Sequence, residues 1–201
     1  IISSDGYSST IELIIAGLET AARGPDGNFG TNDDAKVINL SFGGMFYPSH
    51  GKDPMSLTIE KLYNLGYVVC VAAGNGGGFG SIATPGAADK AITVGASYND
   101  ISVADFSSKG PASWGRVKPD IVAPGVDILS CVPVDSSATA SGTSMSTPHV
   151  AGVVALLLQA HPTWSPSDVK QAIMNTAKDI NSPIAGKGYV FSQGAGLVSY
   201  T

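Results

Sequence analysis

The apolar positions of this chain follow two rhythms that alternate along its length. Near the start they run at helical spacing, with Ile11, Ile14, Ile15, Leu18 and Ala22 every three or four residues. Ser9 with Glu12 three positions on reads as a capping box for this helix, and Gly24-Pro25 stops it. A short apolar run at 37–40 predicts a strand. Asp53-Pro54 opens a second helix, with Met55, Ile59 and Leu62 on one face and Gly66 closing it. Residues 67–73 are apolar without alternation, as expected of a strand covered on both faces of a parallel sheet. Further strands are predicted at 91–96 and near Ile121 and Ile128, before two closing helices. The alternation predicts an α/β domain, a mostly parallel central sheet flanked by helices on both faces. No repeat, low-complexity tract or interdomain linker divides residues 1–201, which read as one domain.

Composition narrows the function classes. With 43% hydrophobic and 13% charged residues among 201, the chain can bury a sizeable core. A net charge of -5 offers no basic stripe and argues against nucleic acid as a partner. No apolar run approaches the roughly 20 residues that span a bilayer. Ile1-Ile2 lead into a polar turn with no cationic segment, unlike a signal peptide, and a start without Met suggests a processed product or an excised piece. Two cysteines are too few for a disulfide framework; Cys70, inside the apolar run, is expected to be buried and inert.

In open parallel sheets ligands gather beyond the carboxyl ends of strands. Two segments there are glycine-rich, Ser41-Phe42-Gly43-Gly44 and Gly74-Asn75-Gly76-Gly77-Gly78, although plain turns would be too. The strongest signal lies at 141–152, SGTSMSTPHVAG. Pro148 is expected in the first turn of a helix, which places the helix start close to Ser144. Val150, Val153, Val154, Leu156, Leu157 and Leu158 predict that this helix is apolar nearly all round, hence buried. Helix physics alone leaves two readings of Ser144: an ordinary cap, or a nucleophile whose surrounding N–H groups face a developing oxyanion.

The segment GTSMSTPHVAGVVALL resembles the nucleophile segment of the subtilisin-like serine proteases (subtilases). VVCVAAGNGG resembles that family's oxyanion strand and loop, VINLSFGG its substrate-binding strand, and HPTWSPSDVKQAIMNTA its last large helix. TPGAADKAITVGA, KPDIVAPGVDIL and GAGLVSY resemble the segments between and after them, all in family order. The resemblance implies peptide-bond hydrolysis through an acyl-enzyme, with a polypeptide substrate and a secreted or otherwise extracytoplasmic setting. Ser144 would attack the scissile carbonyl, its N–H and the Asn75 side-chain amide binding the oxyanion. Ser41, Phe42 and Gly43 would hydrogen-bond or flank an extended peptide. Ala72, Ala73, Gly74 and Ala83 resemble the walls and floor of the primary pocket, with Gly76 at its entrance; all are small and uncharged, implying broad cleavage after bulky apolar or aromatic residues. Pro85 matches a family position preceded by a cis bond.

The family also places an Asp in a D-x-G turn and a His in an H-G-T-H segment upstream, and neither motif occurs here. His149, five residues past Ser144, would lie about 140° round the helix axis and face away. His161 falls at the far end of that helix as a dipole partner, and His50 in a polar loop. The base and its carboxylate are therefore expected from an N-terminal part of the same domain outside this chain, and the chain alone is expected to be inactive. A propeptide is a further partner that the family allows. The alternative function is a peptide-binding pseudoprotease that kept the groove and lost the triad.

Finally, residues 25–34 place Asp26, Asn28, Asn32, Asp33 and Asp34 at close spacing among glycines. Two readings stay open: a structural Ca²⁺ loop, resembling an insertion of heat-stable subtilases, and a solvated Asx-turn loop.

Overall fold

The computed structural model describes residues 10–44, 51–133, 135–182 and 189–199. The first helix, α1, spans Ile11–Arg23, and its cap is Thr10, whose hydroxyl accepts from the Leu13 N–H at 3.4 Å. Ser9 lies outside the described residues. Gly24 ends α1 at φ 60°, where a Cβ would stand 2.6 Å from the Asp33 carbonyl, so the following loop can fold back on the helix only over a glycine.

Strand β1 is Val37–Leu40, and helix α2 spans Pro54–Asn64, with Asp53 capping it through Ser56 N–H at 3.0 Å. Strand β2 (Val68–Ala72) is buried throughout, as its unbroken apolar run predicts. Strand β3 (Ile92–Tyr98), the short β4 (Ser102–Val103) and β5 (Ile121–Pro124) complete a five-stranded sheet. Strands β1, β2, β3 and β5 pair in parallel, and β4 runs antiparallel to the end of β3. Strand β6 (Ile128–Val132) does not join this sheet. It pairs antiparallel with β7 (Ser136–Ala140) as a separate, mostly exposed hairpin. Strand β7 carries no apolar alternation, only SSATA, which is why its sequence gave no strand signal. Helices α3 (Thr143–Ala160), α4 (Pro166–Asn175) and the short α5 (Val190–Gln193) follow.

The period of two along β2 separates two cores. Val69 and Val71 pack with Leu18, Ile59 and Leu62 from α1 and α2, whereas Val68 and Cys70 pack with Val150, Val154, Val169 and Ile173 from α3 and α4. The result is three layers, helix, sheet and helix, the predicted α/β arrangement. Beside the second core, Asp120 is shared by two lysines, Lys118 at 2.7 Å and Lys170 at 2.9 Å. Burial works against its carboxylate, but the two ammonium groups more than offset it and hold its pKa below the usual range.

Helix α3 differs from expectation in two respects. Only a stripe of Thr143, Ser146, Thr147, Val150 and Val154 is buried, and Leu156 is 64% exposed. The sheet covers one side of the helix, and among the described residues nothing is packed over Leu156. Pro148 sits in the second turn, not the first. Its missing N–H leaves the Ser144 carbonyl without the usual helical donor.

Candidate active site

Ser144 is the second residue of α3, at the carboxyl edge of the parallel sheet. Asn75 follows Gly74 where β2 ends. At Gly74, with φ 108°, a Cβ would stand 2.8 Å from Ser108 Oγ and 3.0 Å from the Ala83 Cβ, so only glycine lets the chain turn here between two packed segments. The turn aims the Asn75 side chain at the start of α3. Its Oδ1 accepts from the Thr143 N–H at 2.9 Å and from the Thr143 hydroxyl at 3.0 Å. The Thr143 hydroxyl in turn accepts from the Gly74 N–H at 3.2 Å. A backbone N–H on the amide oxygen fixes which end of the amide is which, so Nδ2 is the outward donor. The position that a Cβ would take on Gly142 is 3.4 Å from Asn75 Nδ2 and 3.7 Å from the Ser144 nitrogen. Two N–H groups thus lie close to one point at the N-terminus of α3, where the helix dipole favours negative charge, and Asn75 and Ser144 line the same cleft. Thr143, which locks Asn75 in place, gave no signal of its own in the sequence beyond its position before Ser144.

A cleft of about 420 Å³ lies here, lined among others by Phe42, Gly43, Ala72, Gly74, Asn75, Gly76, Ala83 and Ser144. Ser81, Ser108 and Thr143 also line it, so no wall carries a charge. Ala73 is fully buried behind the wall with Ile82, Ala87 and Ala112, not on the cleft. Ser41 is not among the residues that line the cleft; its hydroxyl accepts from Asn39 Nδ2 at 2.9 Å. Gly44 exchanges two 3.0 Å hydrogen bonds with Thr84, which pins the 41–44 segment beside the cleft wall. The Thr84-Pro85 bond is cis, as are those before Pro111 and Pro119. A second cleft, of about 320 Å³, lies on the other side of Ser144, between Met145, Pro148 and His149 of α3 and Ile128, Leu129 and Ser130 of β6.

Among the described residues, the Ser144 hydroxyl has no hydrogen-bonding partner. His149 turns its Nδ1 to the Met145 carbonyl at 2.8 Å and is exposed. The His161 ring stacks on Trp164 at 3.9 Å, while its backbone N–H closes α3. His50 lies outside the described residues. Cys70 and Cys131 are both free, and burial pushes the Cys70 thiol up to about 12, which makes it inert.

In the 24–34 loop, carboxylate oxygens of Asp26, Asp33 and Asp34 come within 4.8 Å of one another. Asn28 donates its side-chain amide to the Asp26 carbonyl at 3.2 Å, and Asn32 is exposed in the turn. Asp34 is largely committed elsewhere: its Oδ2 accepts from the Gly30 and Thr31 N–H groups and the Tyr67 hydroxyl, its Oδ1 accepts from the Thr31 hydroxyl at 2.9 Å, and its side chain is buried. Three convergent carboxylates fit a hard cation such as Ca²⁺.

The chain is similar to proteins of one family. The family model described as the subtilase family matches residues 2–196. Serine protease AprX of Bacillus subtilis (strain 168) is 38% identical over 91% of this chain and 47% of its own length. Subtilisin DY of Bacillus licheniformis is 37% identical over 94% of the chain and 64% of its own length. A solved structure described as a cold adapted subtilisin-like serine proteinase superposes with a TM-score of 0.70 at 27% identity, covering 99% of this chain and 63% of that one. The chain thus spans about half to two thirds of the length of these relatives. A match that runs from the 24–36 loop through β2 to α3 and the closing helices leaves one assignment: this chain belongs to the subtilase family.

Proposed function

We propose that the chain is the larger part of the catalytic domain of a serine endopeptidase that cleaves peptide bonds through an acyl-enzyme. One observation carries this reading: the Ser144 nitrogen and Asn75 Nδ2 both lie within 3.7 Å of one point at Gly142, and Asn75 and Ser144 line the same cleft. In the forward step the hydroxyl oxygen bonds to the scissile carbonyl carbon as its proton passes to a base. The two N–H groups hold the negative oxygen. The C–N bond then breaks, the leaving amine takes the proton, and water attacks the acyl group by the same route.

The base and the carboxylate that orients it come, in this proposal, from the same polypeptide outside this chain. Two features support such a complement. Strand β1 pairs only with β2 among the described residues, and an apolar groove lined by Ile14, Leu18, Ile38, Leu40 and Phe42 runs beside it. Without the base, only the residual rate available from oxyanion binding is expected. In the full-length protein, N75A should lower kcat by about 10²–10³, the magnitude measured when a subtilisin loses such a donor. S144A should abolish hydrolysis; retention of activity in both variants sinks the reading. The absence of a base beside Ser144 among the described residues favours the second reading, a peptide-binding pseudoprotease. Residues other than Asp and His at the D-x-G and H-G-T-H positions of the full-length sequence would select it.

The absence of charge in the cleft supports preference for apolar or aromatic residues before the cleaved bond. Calcium is proposed at Asp26, Asp33 and Asp34, where it would brace the loop between α1 and β1. Added Ca²⁺ should raise the melting temperature and a chelator lower it, by mass action on the folded state. An unchanged calorimetric transition would remove the site. Family membership supports an extracytoplasmic setting, and no described helix is long and apolar enough to cross a membrane.

A further inference from the structure

We propose that Lys109 is a positioning residue for the hydrolysis proposed above: its buried ammonium clamps the loop that carries Asn75 and ties together the two walls of the substrate cleft. Lys109 is completely buried, and among the described residues no carboxylate lies within ion-pair distance of it. Its three N–H bonds instead meet three main-chain carbonyls, Gly77 at 2.6 Å, Ser107 at 3.1 Å and Asp105 at 3.2 Å. Donors and acceptors match in number, which is what makes a lone buried cation tolerable. The shortest of these bonds is also the one that reaches across, from the 105–109 segment to the loop after Asn75.

The same segment holds almost every peptide unit of that loop. Ser108 N–H donates to the Gly74 carbonyl at 2.9 Å, Gly76 N–H to Ser108 Oγ at 3.0 Å, and Gly77 N–H to the Phe106 carbonyl at 2.9 Å. On the other wall, the Lys109 main chain exchanges bonds with Ser81: its N–H donates to Ser81 Oγ at 3.2 Å, and its carbonyl accepts from the Ser81 N–H at 3.1 Å. Gly76 and Ser81 both line the cleft. One residue therefore sets where the walls stand relative to each other, and the charge sits on the side that carries the oxyanion donor. Replacing the ammonium by a thioether of similar length would take the donor from three carbonyls, the one of Ser107 buried and those of Gly77 and Asp105 nearer the surface. The Gly77 peptide, flanked by glycines, is the one free to turn toward solvent, and it would carry Asn75 with it. A displacement on the order of 1 Å at such a donor costs up to about 10² in rate.

The test uses K109M, K109R, N75A and the double variant K109M/N75A in the full-length protein. K109M is expected to lower kcat at least tenfold, and K109R, which keeps charge and donors, to recover part of it. In the N75A background K109M should cost nothing further, because the clamp acts through Asn75. Amide hydrogen exchange should show protection of Gly76 and Gly77 falling at least tenfold in K109M, with Val71 and Val94 in the sheet unchanged. Additive losses in the double variant, or unchanged exchange at Gly76 and Gly77, overturn the proposal. If K109M fails to fold, K109Q, with two donors in place of three, takes its place in the same comparisons. Equal hydrolysis by wild type and S144A would overturn the protease reading alone, and the exchange measurement would still decide the clamp.

Discussion

Asp34 is the residue that anchors the 24–36 loop to the body of the protein. Its carboxylate takes the hydroxyl of Tyr67, a side chain 1% exposed in the first core, together with two loop N–H groups and Lys36. The Tyr67 hydrogen bond, above all, outweighs the cost of burial and holds the Asp34 pKa at about 2 against an ordinary 3.8. A folded-state pKa below the unfolded one means stability that is complete above the ordinary value and is lost as pH falls through the folded value. Between pH 3.8 and about 2, the melting temperature of the wild type should therefore fall more steeply than that of D34N. Parallel slopes would contradict this. The aspartates of this loop were legible as a cluster, but the grip of Tyr67 on one of them was not, because it joins residues 33 positions apart. Thr143 was hidden for the same reason, since its partner Asn75 is 68 residues away. Cys70 was legible, because an unbroken apolar run leaves a thiol nowhere else to go.

Among the elements, α2 shows how far local signals reach. Asp53-Pro54, an apolar face and a terminal Gly66 define it, and each does in the fold what its chemistry suggests. Leu62 on that face is fully buried against α1 and the sheet. L62A should cost about 2–5 kcal/mol of stability by chemical denaturation, through lost transfer energy plus the cavity left behind. A loss below about 1 kcal/mol would mean that the site collapses around the smaller side chain. Helix α3 shows where local signals stop. Its apolar residues surround the axis, yet burial depends on what is packed outside, and that information is not in the helix. The strand near Ile128 was legible, but its pairing was not, because its partner Ser136–Ala140 is written in small polar residues.

For the whole molecule, the parallel sheet was legible because β2 is hydrophobic on both faces, and the candidate site was sought by the rule that places ligands at the carboxyl ends of such strands. The cleft is large, uncharged and walled by alanine and glycine. A peptide library offered to the full-length protein should be cut broadly, with bulky apolar or aromatic side chains favoured before the scissile bond. A clear preference for Lys or Arg would contradict the proposed specificity.

Strand β1 ends the sheet with a row of backbone groups that no described strand engages, next to an apolar groove. Such a row is a template, and it does not discriminate between the proper complement and a second copy of itself. Produced alone, this chain is expected to associate edge to edge and come out of solution; under the proposed function, its folding and the delivery of its base would be a single event.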